Sequence, residues 1–176
     1  DTLTFKASND TMGFAMTYYN VFEADLTQPR DWNAYYTISD MIKVSVGNLR
    51  NATYRMGGVY GAFSTSRITG YGLLSEVTPI DGLKIGINLP FGTTAAETVE
   101  VLQSTDIGIS YAIADLGKVI FLANLDLVNE SNQINFGFNF NSVENLTAIV
   151  NYVGTFAATA EHKFGAGVDY MLMDGA

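Results

Sequence analysis

The amino-acid sequence predicts an all-β chain: an antiparallel up-and-down β-barrel of about 10–12 strands that crosses a membrane. Three observations carry that prediction. Apolar and polar residues alternate in many short segments, the period-two signature of strands whose two faces meet different surroundings. Four segments turn tightly between such runs, through Ser39-Asp40, Pro79-Ile80-Asp81-Gly82, Asp115-Leu116-Gly117 and Asn141 to Asn145, while the connections between these hairpins are mostly longer and irregular. Short turns at one end and long loops at the other is the asymmetry of an outer-membrane barrel. Finally, charged residues make up only 15% of the chain, well below the approximately 25% of soluble domains, whereas Gly (17), Tyr (10) and Phe (11) are plentiful.

In chain order, strands are expected over 2–8, 13–23, 32–39, 41–48, 58–64, 69–78, 82–90, 105–114, 117–127, 132–141, 145–154 and 161–172, within a single domain covering residues 1–176. The clearest alternation sets Ile134, Phe136, Phe138 and Phe140 against Asn135, Gly137, Asn139 and Asn141. The first set is assigned to a lipid face, with Asn135 and Asn139 lining a wet lumen. Leu83, Ile85, Ile87 and Leu89 alternate in the same way with Lys84, Gly86 and Asn88, and Ile42, Val44 and Val46 with Lys43, Ser45 and Gly47. Phe164, Ala166, Val168 and Tyr170 alternate with Gly165, Gly167 and Asp169. Lys43, Lys84, Asn88 and Asp169 therefore join the lumen lining. Aromatic residues near strand ends, Tyr18, Tyr19, Phe22, Trp32, Tyr35 and Tyr36, suit an interfacial girdle, although strands also favour aromatic rings as ordinary cross-strand pairs.

Alternation alone does not decide which face is wet. A soluble extracellular β-sandwich or jelly-roll binding module, with ligand contacts on its long loops, stays open beside the barrel. The polar face favours the barrel, because it is built from Gly, Ser, Ala and Asn with isolated charges rather than from the Lys, Glu, Thr and Arg of a solvated sheet.

No stretch approaches the roughly 18 consecutive apolar residues of a membrane helix. A net charge of −9 argues against nucleic acid as a partner, and the absence of cysteine excludes disulfides and thiolate metal sites. His162 is the sole histidine, and no Gly-x-Ser-x-Gly elbow or comparable nucleophile signature accompanies it, so no enzyme activity and no cofactor is expected. Two acidic clusters, Glu23-Asp25-Asp31 and Glu97-Glu100-Asp106, lack the spacing of a calcium loop.

The stretch from Asn48 to Thr69 carries Arg50, Arg55 and Arg67, three of nine basic residues, interleaved with Tyr54 and Tyr60. A loop folded into a pore sets its constriction, and fixed charge there biases which ions pass. Arg50 and Arg55 are therefore expected near a pore mouth or eyelet, opposite carboxylates such as Glu23, Asp25 and Asp31; the alternative is a solvated loop whose arginines snorkel or bind lipid headgroups. The chain opens almost inside a strand and ends on Asp174-Gly175-Ala176, whose Asp-Gly repeats the turn signal of Asp81-Gly82, so the pattern is expected to continue beyond residue 176.

With these hairpins placed, Trp32 to Asn48 (WNAYYTISDMIKVSVGN), Ile68 to Gly92 (ITGYGLLSEVTPIDGLKIGINLPFG) and Ile107 to Asn124 (IGISYAIADLGKVIFLAN) resemble outer-membrane β-barrel proteins of spirochaetes, particularly treponeme-like porins. The resemblance implies a passive diffusion pore or a structural surface protein of the cell outer membrane, without a catalytic site or cofactor. Its partners would be membrane lipid and small hydrophilic solutes or ions, with homo-oligomers or neighbouring envelope proteins left open. The missing terminal aromatic residue is the departure from that pattern.

Overall fold

The computed structural model describes residues 2–19, 31–59, 61–91, 104–126 and 130–171. They form β1 (Thr2–Ser8), β2 (Met12–Tyr19), β3 (Asp31–Ser39), β4 (Ile42–Asn51), β5 (Ile68–Ile80), β6 (Leu83–Pro90), β7 (Ser104–Ile113), β8 (Gly117–Asp126), β9 (Asn132–Phe140), β10 (Leu146–Phe156) and β11 (Glu161–Tyr170). All eleven strands belong to one sheet in which each pairs antiparallel with its sequence neighbours, an all-β up-and-down meander. The sheet is open: β1 and β11 each pair on one side only. Because the strand number is odd, these two edges run in the same direction.

Tight turns gather at one end, as expected, and their chemistry is local. Gly82 holds φ at +78° in the turn between β5 and β6, and Asp115 (φ 57°) and Asn145 (φ 61°) take the left-handed conformation after β7 and before β10. A fifth tight turn, between β1 and β2, is closed by Asn9, whose Oδ1 accepts the amides of Thr11 (2.9 Å) and Met12 (2.8 Å).

Register fixes the two faces. Ser45, Leu74, Asn88, Asp106 and Asn124 lie in one row across neighbouring strands, as do Glu76, Gly86, Gly108, Leu122 and Asn135. The opposite face carries Val46, Leu73, Ile87, Ile109, Phe136, Val150 and Phe164. Every charged residue inside the strands falls on the first face except Arg50, at the end of β4.

The first face is the covered one. Tyr54, Ile68, Ile120, Leu122, Asn88 and Asn135 are fully buried there, while on the apolar face Ile87 is 49% exposed, Val150 55% and Phe164 78%. What covers the first face is the chain's own connection between β4 and β5, residues 52–67. The sheet is curved around it. Ser66 donates its amide to Asn135 Oδ1 of β9 at 3.1 Å, yet Ile68 already begins β5. Two residues span at most about 7 Å, and Asn135 adds one side chain and one hydrogen bond, whereas four strand spacings along a flat sheet are about 19 Å. The sheet is therefore a trough with residues 52–67 inside it.

The strand expected over 58–64 is not present. Only an isolated antiparallel bridge, Val59 to Ala62, occurs there, and the segment belongs to the infolded connection. Residues 1, 20–30, 60, 92–103, 127–129 and 172–176 lie outside the described residues, and with them Phe22, Glu23, Asp25, Tyr60, Glu97, Glu100 and the Asp174-Gly175 turn signal.

A glycine pair tests the turn chemistry. Gly82→Ala places a Cβ in the left-handed region and 2.6 Å from the Ala112 carbonyl oxygen, whereas Gly57 meets nothing within 4 Å. Gly82→Ala is expected to lower the unfolding free energy by about 1–2 kcal/mol and Gly57→Ala to leave it near the parent value, measured as urea midpoints of the folded protein.

Candidate functional site: an infolded loop inside the trough

Residues 52–67 follow a groove made by missing side chains. Gly86 and Gly108 are direct partners on β6 and β7, and a Cβ at either would collide with the Tyr54 ring. On β9, a Cβ at Gly137 would lie 2.7 Å from Met56 Cβ; on β11, one at Gly165 would lie 3.0 Å from the Phe63 ring. The loop thus crosses the trough from β6 to β11, with one apolar residue seated over each bare patch of backbone.

Polar contacts lock the same path. Tyr54 Oη donates to Glu76 Oε1 at 3.1 Å, and Asn51 Nδ2 reaches that oxygen at 3.4 Å. Burial, reinforced by the Glu76 carboxylate, holds the Tyr54 phenol above its usual titration range, so it stays a donor. Lys118 Nζ donates to the Thr53 carbonyl at 2.9 Å, and Asn151 Nδ2 to the Phe63 carbonyl. Within the loop, the Met56 amide donates to Thr65 Oγ1 at 2.8 Å and Arg55 Nε to the Thr65 carbonyl at 3.3 Å, joining its two limbs.

The returning limb rests on a ladder of amides and one carboxylate. Asn88 Nδ2 and Asn124 Nδ2 each donate to an Asp106 oxygen at 2.7 Å, Asn135 Nδ2 lies 3.3 Å from Asn124 Oδ1, and Ser66 Oγ meets Gln133 Oε1 at 2.5 Å. A carboxylate holding two amide donors satisfies groups that burial would otherwise make costly.

The residues singled out from sequence divide accordingly. Arg50 does approach Asp31, Nη1 to Oδ2 at 3.4 Å, and with Arg67 these two line a cavity of about 380 Å³ at the loop end of β4 and β5. Arg55 lies instead within the infolded loop, where its Nε donates to the Thr65 carbonyl, so of the expected mouth-or-eyelet pair only Arg50 lines this cavity. Tyr54, expected as a loop aromatic, is fully buried. Lys43, Lys84, Asn88, Asn135, Asn139 and Asp169 all take register positions on the loop-covered face, and Ile134, Phe136, Phe138 and Phe140 all take positions on the other.

Of the proposed girdle, Tyr18, Trp32 and Tyr36 lie on the apolar face, while Tyr35 points inward and its ring covers Gly13. The side chains of Tyr19 and Phe22 lie outside the described residues. Tyr111 and Tyr170 near the turn end, and Tyr71 and Phe156 near the loop end, are on the apolar face too. His162 is also on that face, where its Nδ1 is 2.9 Å from Tyr152 Oη.

The glycine groove was legible only in part. Gly86, Gly108, Gly137 and Gly165 all fall on the small-residue phase of their strands, and that recurrence was the available signal for an object seated against the sheet. No protein-family model matches the chain, and neither the curated proteins nor the solved structures offer a match.

The chain has no cysteine, so a single introduced thiol reports the loop. With Ala62→Cys, at a position 7% exposed, labelling by a water-soluble maleimide is expected to be slow. Adding Gly108→Leu, which fills the Tyr54 seat, is expected to raise the labelling rate at least about tenfold, the factor for roughly 1.4 kcal/mol of lost seating energy. An unchanged rate would show that the glycine seat does not hold the loop.

Proposed function

We propose that the chain forms the wall of an outer-membrane β-barrel that acts as a passive path for small hydrophilic solutes or ions, narrowed by residues 52–67 folded inside it. One observation carries this reading. The face with the large apolar side chains is uncovered, and the face with the glycines, amides and charges is covered over its middle strands, β4 to β10, by the chain's own loop. A soluble sandwich does the reverse, burying its apolar face between sheets.

The exposed apolar face runs continuously from Phe5 to Phe164 across the strands, far beyond the scattered apolar residues of a soluble surface. A hydrocarbon surrounding removes the cost of that exposure. It also suits a wall in which every charged strand residue but Arg50 is turned inward, and Arg50 sits at a strand end beside Asp31. The aromatic residues near both strand ends match the two interfacial levels.

Lipid leaves no strand edge unpaired, so the reading also requires β1 and β11 to find partners. Because both edges run the same way, a strand running against them closes the wall with antiparallel pairs on each side. The infolded loop makes the path narrow, and a structural anchor is the limiting case in which it fills the interior.

Two measurements test the reading. Purified protein reconstituted into planar bilayers is expected to give discrete conductance steps, and their absence leaves only the structural form. Phe136→Arg, at the middle of β9 and 42% exposed, is expected to cost about 2–4 kcal/mol of folding free energy in lipid vesicles. A soluble module would tolerate the same change at an exposed position within about 0.5 kcal/mol, and folding without lipid or detergent would overturn the proposal.

A further inference from the structure

The loop does not fill the trough evenly. Its glycine seats run from β6 to β11 through Gly86, Gly108, Gly137 and Gly165, and although Tyr54 also packs with Leu49 and Leu74 and bonds Glu76, a cavity of about 320 Å³ stays open beside Thr53 on the inner faces of β3, β4 and β5. This space is polar, with Tyr35, Lys43, Ser45, Arg50, Asn51 and Glu76 in its lining. It lies next to the cavity formed by Asp31, Arg50 and Arg67, with Leu49 and Arg50 common to both, so the two spaces follow β4 toward its loop end.

The charges along this route differ in what holds them. Arg50 faces the Asp31 carboxylate, and Glu76, the direct cross-strand partner of Lys43, takes hydrogen bonds from Tyr54 and Asn51 without closing an ion pair with that lysine. Lys43 instead lies with Nζ 4.2 Å from the centre of the Tyr35 ring, whose other neighbour is the bare backbone of Gly13. A ring attracts an ammonium through its quadrupole but carries no net charge, so the field of Lys43 is not cancelled by that contact. In a confined space with low-dielectric walls such a charge acts on a passing ion more strongly than on a surface.

We propose that the solute path runs along the inner faces of β3–β5, on the side the loop leaves open, and that Lys43 gives it a preference for small anions. This inference rests on the pore reading above. Lys84 is the comparison: it sits on the same face near the same end, on β6, but does not line this cavity.

The test is the reversal potential of single channels under a potassium chloride gradient for the parent, Lys43→Glu, Lys43→Gln and Lys84→Glu proteins, each first shown to fold by its heat-dependent mobility in an SDS gel. The parent is expected to pass chloride over potassium with a permeability ratio above one, Lys43→Gln to bring the ratio toward one, and Lys43→Glu to invert it. Lys84→Glu is expected to keep the parent's sign. A Lys43→Glu ratio equal to the parent's, or an inversion produced by Lys84→Glu instead, overturns the assigned path while leaving the pore intact. If Lys43→Glu does not fold, Lys43→Gln decides by the same criterion. No current from the folded parent overturns the pore reading, and the path with it.

Discussion

The absence of side-chain volume at Gly86 and Gly108 determines what the interior of this protein is. Those two residues face each other across β6 and β7 and leave a seat into which Tyr54 fits, fully buried, with its hydroxyl on Glu76. From that seat the rest of the loop follows: Met56 over Gly137, Phe63 over Gly165, and a return along the amide ladder to β5. A Cβ at the Tyr54 seat would push the ring off the sheet, and Lys118, Asn151 and Asn135 would each lose the loop partner they now hold. The network is not fully satisfied among the described residues, because the buried Oδ1 atoms of Asn88 and Asn151 have no hydrogen-bond partner, so the glycine seats and not the amides alone fix the loop path.

Seating the loop on the polar face inverts the usual division of a β-sheet. The inside is built from glycine, amides, a few aliphatic side chains and nearly all the strand charge. The outside carries Phe, Ile, Leu and Val and is not covered by any other segment among the described residues. For a protein in water this would forfeit most of the hydrophobic stabilisation available, since about 25 cal/mol is gained for each Å² of apolar surface removed from water. For a protein in lipid it costs nothing, and the requirement moves to the backbone, whose hydrogen bonds must be met within the wall. The meander meets it between all ten neighbouring pairs, and β1 and β11 mark where the requirement continues.

Much of the fold was legible because strand alternation is a local property. Phe136 and Asn135 were assigned to opposite faces from spacing alone, and the turns at Asp81-Gly82 and Asp115 announce themselves through residues that tolerate positive φ. The turn at Asn9 carries the same kind of signal in its side chain, yet it was not among the hairpins read first. The error over 58–64 has a different cause: Val59, Ala62 and Phe63 resemble strand residues, but Val59 and Ala62 pack with Ile120 of β8 and Ile149 of β10, and Phe63 covers Gly165 of β11, all far off in sequence. The partner of Arg55 is hidden from the sequence for the same reason. Its carbonyl acceptor on Thr65 exists only once the loop has doubled back. What one residue faces along its own strand is written locally; what a loop meets across the trough is not.

The claim on which this account rests is that the apolar face meets hydrocarbon, and the single tryptophan reports on it directly. Trp32 is half-buried at the start of β3 on that face, paired with Met16 and Asn48. Its fluorescence in vesicles whose lipids carry bromine near the headgroup end of the acyl chain is the decisive measurement. Strong quenching relative to unbrominated vesicles is the predicted result. Emission that is the same in both, from protein that is folded in the presence of either lipid, would contradict it.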